Sequence, residues 1–409
     1  MKTIIVQGDG LSTVALPEFE GRTLLQIART PNLDQMATQG ELGYLTLPSE
    51  AYSLSSQVTH LALLGYDPSR YYSGLGPFEA ASLEVVLEKQ DIAFLCHFVT
   101  IGSLNGREET KKLGSSLTLT DCTAGGIETE DARELIAEIN EQLGSETIQF
   151  YTGECHRHLM VWIGSTIRCR CHHPRTAQGH HLGPYLPTGM GADVMKELME
   201  ASRVLLRHHP INQEREAAQR PPANCLWLWG PGKAIELPQW KDRWAIPSMT
   251  ISPSSIHRGI AIRAGMDVVS PVLEGESTAL DDFRVYVQRC LDELESRDLV
   301  YVHVPIPYMD RSTDAQASID AVEQFDELVV GPLMKSLTET RDSRLLVVAN
   351  RADEDEFDSP RSPTPYAMVT NAEAGSSVSQ SMFDEIHALT GVPRDATKIA
   401  SRVLALGVS

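Results

Sequence analysis

Apolar segments of strand length alternate with segments of helical periodicity, and this alternation limits the fold more than any other feature of the sequence. Thr3–Gln7 is the first predicted strand, and Leu299–Val304 and Leu345–Ala349 are two later ones. Between the later two, residues 317–337 place apolar side chains on one helical face. Such alternation predicts an α/β fold, a mostly parallel sheet with helices on both faces. We expect this β-α-β unit to pack beside the first strand.

Two helix starts can be predicted from local signals. Thr30-Pro31 supplies an N-cap and an N1 proline for a helix over 32–38, which Gly40 ends. Ser56 precedes a second apolar helical segment, 57–64, which Gly65 closes. A hydroxyl at a helix N-terminus lies where amide groups favour a phosphate or an activated serine. An ordinary serine N-cap is the alternative interpretation of Ser56.

The middle of the chain differs in charge from both ends. Residues 150–225 carry nine Arg or Lys against six Asp or Glu, a net charge of +3, and eight of the thirteen histidines. Because the whole chain has a net charge of −20, the remainder carries −23. Prolines and glycines crowd 174–192, which predicts a long irregular loop. We therefore predict a smaller α+β domain at 111–263, inserted into an α/β domain that 1–110 and 264–409 form.

Charge, hydropathy and cysteine spacing exclude several classes of protein. A net charge of −20 is unsuited to nucleic acid or to an anionic membrane, which proteins contact with clustered Lys and Arg. No segment reaches the ~18 apolar residues that cross a bilayer. The seven cysteines are unevenly spaced, which favours reduced thiols over a disulfide framework. These features predict a cytoplasmic protein without a nucleic-acid or membrane partner.

Gly8-Asp9-Gly10 directly follows the first predicted strand. Ligands of open parallel sheets bind at the carboxyl ends of the strands, and a carboxylate between glycines suits a hard cation. An aspartate in an ordinary turn is the alternative.

Further motifs follow in order along nearly the whole chain. They include Thr30-Pro31-Asn32-Leu33-Asp34, Leu64-Gly65-Tyr66-Asp67-Pro68, Gly76-Pro77-Phe78-Glu79, Arg157-His158-Leu159, His209-Pro210-Ile211-Asn212, Cys225-Leu226-Trp227, Arg258-Gly259 and Tyr301-Val302-His303-Val304. Together with Gly8-Asp9-Gly10 and Ser56, this series resembles the archaeal-type cofactor-independent (2,3-bisphosphoglycerate-independent) phosphoglycerate mutases, which belong to the alkaline phosphatase superfamily.

The resemblance implies a phosphatase-like domain with a two-metal site, usually manganese or zinc, and an inserted domain that grips the substrate. Asp9 matches the first metal ligand, and Ser56 matches the serine that carries a phosphoryl group between the hydroxyls of glycerate. Arg157, Arg215 and Arg258 match cationic positions on the substrate side. The implied partner is therefore a small phosphorylated metabolite.

The chain departs from the family pattern at five positions where C-terminal metal ligands are expected. These positions hold Tyr308, Ser312, Asn350, Arg351 and Ser359. A dinuclear site needs several convergent ligands, so Asp9 and Ser56 would remain only as a remnant. We predict that the metal site has decayed.

Two local features could rebuild a site there. An Arg351 guanidinium at a former ligand position can supply positive charge where the cations were and bind a phosphate without activating it. The acidic run at 353–358 offers oxygen ligands to a hard cation, and a solvated acidic loop is the alternative.

A Cys- and His-rich segment occupies 155–181, within the predicted insert. Cys169 and Cys171 would share a face of a strand, and thiolates with imidazoles suit zinc. The spacing matches no standard zinc module, and an anion-attracting face is the alternative. Trp227 and Trp229 indicate a structural strand rather than a platform for bases.

Three functions remain open from the sequence. The first is a mutase homologue with a decayed dinuclear site that binds a phosphorylated metabolite without normal turnover. The second is an active mutase or phosphotransferase that uses a Ser56 phosphoenzyme and a relocated metal site. The third is a non-catalytic interaction subunit. Fold resemblance cannot choose among them, because function lies in the site.

Overall fold

The structure is a computed structural model that describes residues 1–16, 19–102, 113–114, 117–271, 283–306, 315–340, 342–351, 363–371 and 381–404. The chain divides into two compact units. Unit 1 comprises Met1–Tyr72 and Leu237–Ser409, and unit 2 comprises Ser73–Glu236. Within the described ranges, no helix is long and apolar enough to cross a membrane.

The strands of the described residues are, in chain order, β1 (Lys2–Ser12), β2 (Glu41–Thr46), β3 (Ile92–Gly102), β4 (Thr118–Asp121), β5 (Ile148–Tyr151), β6 (Arg157–Trp162), β7 (Arg168–Arg170), β8 (Thr188–Met190), β9 (Cys225–Lys233), β10 (Ser248–Ile251), β11 (Asp267–Val269), β12 (Leu299–Pro305), β13 (Ser343–Arg351), β14 (Thr364–Thr370) and β15 (Val392–Asp395). The helices are α1 (Leu24–Ile27), α2 (Pro31–Gln39), α3 (Ser56–Leu63), α4 (Pro68–Tyr71), α5 (Gly76–Ser82), α6 (Thr129–Leu143), α7 (Pro174–Ala177), α8 (Ala192–Leu206), α9 (Pro210–Ala217), α10 (Trp240–Trp244), α11 (Ser255–Arg263), α12 (Phe283–Leu294), α13 (Ala315–Phe325), α14 (Gly331–Glu339), α15 (Glu385–Thr390) and α16 (Ile399–Leu404).

Unit 1 contains an eight-stranded sheet in the order β11-β10-β12-β1-β13-β14-β2-β15. The pairs from β11 to β13 are parallel, and β14 is antiparallel to both of its neighbours. The sheet is therefore mostly parallel, as predicted. β1 lies between β12 and β13, which confirms that the β-α-β unit packs beside the first strand.

The predicted helix over 317–337 is divided in the structure. A π-helical turn, Asp326–Val330, separates α13 from α14. The Asp326 carboxylate accepts hydrogen bonds from the backbone amides of Asn32 and Leu33 at 3.0 and 2.8 Å. These amides belong to the first turn of α2, whose free N–H groups favour a carboxylate partner. The turn thus places a buried acid at the start of the helix that Thr30-Pro31 predicts.

Ser56 begins α3 instead of capping it. The N-cap is Ser55, whose hydroxyl accepts a hydrogen bond from the backbone amide of Val58 at 3.5 Å. The alternative interpretation of Ser56 as the N-cap is therefore wrong by one residue, although Ser56 does lie at the start of the helix. The sequence offers two adjacent serines at this point, and an extended backbone conformation of Ser55 selects the first as the cap.

Unit 2 contains a five-stranded antiparallel sheet in which β3 pairs with β4, β6 and β9, and β6 pairs with β5. Helices α6 and α8 bury apolar side chains in the core of this unit. A separate ribbon consists of β7 and β8. The unit is α+β, whereas unit 1 is α/β. Short elements, α7 and β8 among them, interrupt the 174–192 segment that was predicted to be irregular.

The boundaries of the units differ from the predicted insert at 111–263. The strand β3 belongs to unit 2 because its backbone pairs with β6 and β9. Conversely, β10 pairs in parallel with β12, so Ser248–Ile251 joins the sheet of unit 1. Backbone pairing over long sequence separations sets both boundaries, and local composition carries no signal for it.

Candidate functional site

Asp9 lies at the carboxyl end of the central strand of unit 1, opposite Pro305 of β12 and Asn350 of β13. The pairing of β1 with β13 becomes irregular after Asp9, where Gly10 has a φ of 105°. A residue with a side chain rarely adopts this conformation, so the glycine permits the irregularity. One carboxylate oxygen of Asp9 lies 3.3 Å from Nε2 of His303, and the other is buried without a hydrogen-bond partner among the described residues.

Ser56 lies in the same unit and is only 2% exposed. Its hydroxyl oxygen lies 3.1 Å from the Gln7 amide nitrogen, which donates to it, and 3.0 Å from Nε2 of His257. The Gln7 amide also donates to the backbone oxygen of Ser56 at 2.9 Å. The Tyr301 hydroxyl donates a hydrogen bond to the amide oxygen of Gln7. Ser56 is therefore held by a buried polar network that includes Gln7 of β1 and Tyr301 of β12.

Three imidazole rings pack beside this network. The ring centroids of His257 and His303 are 3.7 Å apart with nearly parallel planes, and His60 stacks on Tyr301 at 4.1 Å. His257 Nδ1 lies 3.1 Å from the hydroxyl of Ser254. All of these rings are buried. The structure thus brings together three histidines that are at least 46 residues apart along the chain, from α3, α11 and β12.

Burial determines the charge of His257 and His60. It holds the pKa of His257 well below the usual value, and the neighbouring His303 and His60 lower that pKa further. Burial, with His303, likewise lowers the pKa of His60. A buried imidazole without a counter-charge stays neutral because desolvation penalises its charged form. Ser56 therefore faces an uncharged amide and an uncharged imidazole at neutral pH.

Arg351 ends β13, directly after Asn350, and lines a cavity of about 440 Å³ in unit 1. The described residues that line the cavity are Tyr44, Leu45, Thr46, Leu47, Ser49, Glu50, Tyr52, Ser53, Leu54, Arg351, Pro363, Thr364 and Leu389. Ser56 is not among them, although the loop that precedes it is. Asn350 is buried, and its amide donates to the backbone oxygen of Leu54 at 3.0 Å. The Arg351 cavity and the Ser56 network are therefore separate polar environments within unit 1.

The three arginines predicted on the substrate side are divided between the units, with Arg258 in unit 1 and Arg157 and Arg215 in unit 2. Arg258 donates to the backbone oxygens of Ser252 and Pro253, at 3.2 and 2.9 Å, in the loop after β10. Arg215, in unit 2, is 1% exposed and donates to the backbone oxygens of Ala124 and Pro221. This burial does not support a substrate-side role for Arg215, since its guanidinium holds the turns around it.

Arg157 lies on β6 of unit 2 and is half-buried. Its Nε atom is buried without a hydrogen-bond partner among the described residues. It pairs across the sheet with His97, which belongs to β3. In unit 2, Arg157 is therefore better placed than Arg215 for a role on the substrate side.

Comparison with known proteins identifies the family of the chain. A sequence profile described as 2,3-bisphosphoglycerate-independent phosphoglycerate mutase matches residues 37–212. A probable 2,3-bisphosphoglycerate-independent phosphoglycerate mutase of Geobacter sulfurreducens is 35% identical over 376 residues, which cover 91% of this chain and 89% of that protein. The chain belongs to this family. The relationship supports a phosphoglycerate mutase-type function.

Two solved structures resemble this member of the family. The cofactor-independent phosphoglycerate mutase of Thermoplasma acidophilum has a TM-score of 0.56 and 25% identity, and 99% of each chain is covered. A protein of Pyrococcus horikoshii has a TM-score of 0.67 and 21% identity, with 99% of this chain and 96% of that chain covered. At that identity the second likeness bears on the fold alone.

Of the positions of the two-metal site that the resemblance implies, Asp9, Asn350 and Arg351 lie within the described residues of this family member. Within them, no three His, Cys, Asp or Glu side chains converge as a metal site requires. Asn350, at a predicted former ligand position, uses its amide to hold the Leu54 backbone. Predictions for Tyr308, Ser312, Ser359 and the acidic run at 353–358 lie outside the described residues. We derive no chemical step through a metal for this chain.

The Cys- and His-rich segment of unit 2 is a mixture of buried rings and a pair of thiols. Burial lowers the pKa of His156 to about 4 and of His158 and His173 to about 3, so these imidazoles are uncharged at neutral pH. They therefore add no positive charge to the predicted anion-attracting face. Trp227 is buried in β9, which fits the predicted structural strand.

His257, Gln7, His60 and Tyr301 were not predicted as parts of a site. Gln7 carries a weak signal, because it is a polar residue at the end of an apolar strand. His257 carries none, since its partner Ser56 lies 201 residues away. Asp9 and Ser56 both lie in unit 1, and their polar neighbours are found only in the folded structure.

Proposed function

We propose that this member of the family binds a small phosphorylated metabolite beside Arg351 and does not use Ser56 for mutase turnover. The observation that carries the proposal is the environment of the Ser56 hydroxyl, which is buried and held by neutral partners. The proposal rests on three further arguments, which concern the charge of a phosphoserine, the metal ligands and the shape of the Arg351 cavity.

A phosphoserine at Ser56 would bring a charge of about −1.5 to −2 into the protein. The groups that contact the hydroxyl are the Gln7 amide and the uncharged His257 imidazole. Burying such a charge without a paired cation costs several kcal/mol, on the order of the penalty for any unpaired buried ion. The network therefore stabilises an unmodified serine. Among the described residues, no group of three or more His, Cys, Asp or Glu side chains is placed to hold a cation that would offset that cost.

The Arg351 cavity has the features of a binding site for a small anion. Its volume of about 440 Å³ lies in the range of small-molecule sites, roughly 300 to 1,000 Å³. Hydroxyl-bearing residues such as Ser49, Ser53 and Thr364 line it together with the Arg351 side chain. A guanidinium binds a phosphate or carboxylate through paired N–H groups. Glu50 also lines the cavity.

Thermal unfolding with and without 3-phosphoglycerate tests the binding proposal. A ligand of the folded state raises its stability, by about 2.7 kcal/mol at one hundred times the Kd. We expect 3-phosphoglycerate to raise the Tm of the wild-type chain, and Arg351→Gln to lose more than half of this shift. Arg289→Gln removes the same charge from an exposed position on α12 of the same unit and is the matched control. If 3-phosphoglycerate raises the Tm of Arg351→Gln as much as that of the wild-type chain, the ligand binds elsewhere.

A second function is favoured by the contact between Ser56 and His257. Ser254 lies beside Nδ1 of His257, and if Nδ1 donates to that hydroxyl, Nε2 is free to accept the proton of Ser56. An uncharged imidazole 3.0 Å from a serine hydroxyl is the arrangement of a general base and a nucleophile. Such a pair would support phosphoryl transfer without a metal.

Hydrolysis of p-nitrophenyl phosphate in the presence of EDTA separates the two functions. If the pair is active, Ser56→Ala and His257→Ala both abolish turnover, whereas His387→Ala, at a half-exposed histidine of α15, leaves it unchanged. The binding proposal predicts that the wild-type chain has no turnover that Ser56→Ala removes.

A further inference from the structure

Cys169 and Cys171 form a pair of thiols that the function proposed above does not use. Their sulfur atoms are 3.6 Å apart. Cys169 is the middle residue of β7 and pairs with Gly189 of β8, and Cys171 follows the strand. Side chains two residues apart in an extended segment point to the same face, which explains the short distance. A disulfide bond is about 2.05 Å long, so the two sulfurs need to approach by about 1.5 Å, a displacement that side-chain rotation can supply.

This pair differs from the other cysteines in exposure. Cys96, Cys122, Cys225 and Cys290 are buried, whereas Cys155, Cys169 and Cys171 are half-buried. Burial raises the pKa of the Cys225 thiol to about 12, and it also raises the pKa values of Cys96 and Cys290. A buried thiol with a raised pKa is inert because the thiolate is the reactive form. The reactive cysteines of the chain are therefore expected among the half-buried three.

The surroundings of Cys169 favour its thiolate. The hydrogen bond from Cys171 lowers the pKa of Cys169, an effect that burial opposes. Both neighbours of Cys169 along the chain, Arg168 and Arg170, are exposed arginines. Adjacent side chains of a strand point to opposite faces, so these arginines act on Cys169 only at a distance, and their positive charge attracts anionic reagents to this part of the surface. Cys169 thus has the character of an attacking thiol, with Cys171 in position to resolve a mixed disulfide.

We propose that Cys169 and Cys171 form a thiol–disulfide exchange site for anionic disulfides of low molecular mass, of which glutathione disulfide is the probe. The Cys169 thiolate attacks one sulfur of the disulfide, a bond forms between Cys169 and one glutathione, and the other glutathione leaves as a thiolate. Cys171 then attacks the Cys169 sulfur and releases the second glutathione, which takes up the Cys171 proton. Two protein thiols are oxidised to one disulfide, and one glutathione disulfide is reduced to two glutathiones.

The experiment oxidises the full-length chain with glutathione disulfide in a buffer that contains EDTA. Two of the seven thiols should be lost, and dithiothreitol should restore both. Arg170 lies between the two cysteines, so trypsin cuts the reduced chain between them. In the oxidised chain the Cys169–Arg170 fragment should remain joined to the Cys171–Arg175 fragment, which mass spectrometry detects.

Three variants assign the roles of the thiols. Cys171→Ser should retain one glutathione on Cys169, because no resolving thiol is present. Cys169→Ser should lower the rate of thiol loss at least about tenfold, since the activated thiolate is removed. Cys155→Ser changes the remaining half-buried cysteine and should oxidise at the wild-type rate.

Several results would overturn the proposal. These are a stable glutathione adduct without the joined fragments in the wild-type chain, equal oxidation rates in wild type and Cys169→Ser, or a zinc ion that resists EDTA and blocks the pair. The rate of alkylation of the folded wild-type chain by iodoacetamide gives a test that needs no variant. Cys169 should react faster than Cys155 at pH 7, and the reverse order would contradict the assignment.

Discussion

Ser56 of unit 1 and Cys169 of unit 2 are both candidate nucleophiles, and their surroundings differ in exposure and charge. Ser56 is 2% exposed and is held by an amide and an uncharged imidazole. Cys169 is half-buried, and exposed arginines flank it along the chain. The residue that family resemblance selects is thus enclosed in a neutral network, whereas the residue that resemblance does not select is accessible. We therefore expect changes around Ser56 to alter stability, and changes at Cys169 to alter reactivity.

The largest effect is expected for Gln7→Ala. The substitution removes the amide that joins Tyr301 to Ser56, leaves buried polar groups without partners and opens a cavity. We expect the free energy of unfolding to fall by about 3 kcal/mol, which chemical denaturation measures. Gln35→Ala, at an exposed glutamine of α2, should change it by less than about 0.5 kcal/mol. A small loss for Gln7→Ala would show that the network around Ser56 does not hold the core together.

Acidification should also lower the stability of the chain, because both units contain histidines that burial keeps uncharged. The folded pKa values of His156, His158 and His173 are about 4, 3 and 3. In the unfolded chain histidine titrates near ~6.5, so the unfolded state binds more protons below that pH. Stability that is present above pH 6.5 is therefore lost as the pH falls towards 4.

Each of these histidines contributes at most about 1.4 kcal/mol per pH unit, so the three give a slope of a few kcal/mol per unit. Urea denaturation at pH 7, 6 and 5 measures the slope. His158→Gln should flatten it by at most about 1.4 kcal/mol per pH unit, since one of the titrating groups is gone. A free energy of unfolding that is constant between pH 7 and 5 would contradict the assignment of uncharged folded-state imidazoles.

The smallest effect on stability is expected for Cys169→Ser. The side chain is half-buried and the replacement is close in size, so the free energy of unfolding should change by less than about 1 kcal/mol. Differential scanning calorimetry checks this. A loss as large as that of Gln7→Ala would mean that the thiol pair is a part of the core of unit 2, and the contrast between the two nucleophiles would fail.

Much of the sheet of unit 1 could be predicted from the sequence. The strands β1, β12 and β13 are continuous apolar runs, and local signals such as Thr30-Pro31 define α2. Apolar periodicity is local, so it is visible without the fold. The boundaries of the units could not be predicted, because the pairing of β10 with β12 joins segments that are about fifty residues apart.

The candidate site was only partly predictable for the same reason. Asp9 and Ser56 carry local signals, a strand end and a helix start. The contact of Ser56 with His257 and that of Asp9 with His303 span 201 and 294 residues, and no spacing rule in the sequence indicates either. The neutral charge of His257 depends on burial, which is a property of the folded chain.

The most direct test of the account is the phosphorylation state of Ser56 during exposure to substrate. The chain is incubated with 3-phosphoglycerate and with manganese or zinc, quenched in acid and analysed by intact-mass and peptide mass spectrometry, while conversion to 2-phosphoglycerate is followed in parallel. The account predicts no phosphoryl group on Ser56 and no conversion that Ser56→Ala abolishes. A phosphorylated Ser56 peptide, together with conversion that is lost in Ser56→Ala, would contradict it.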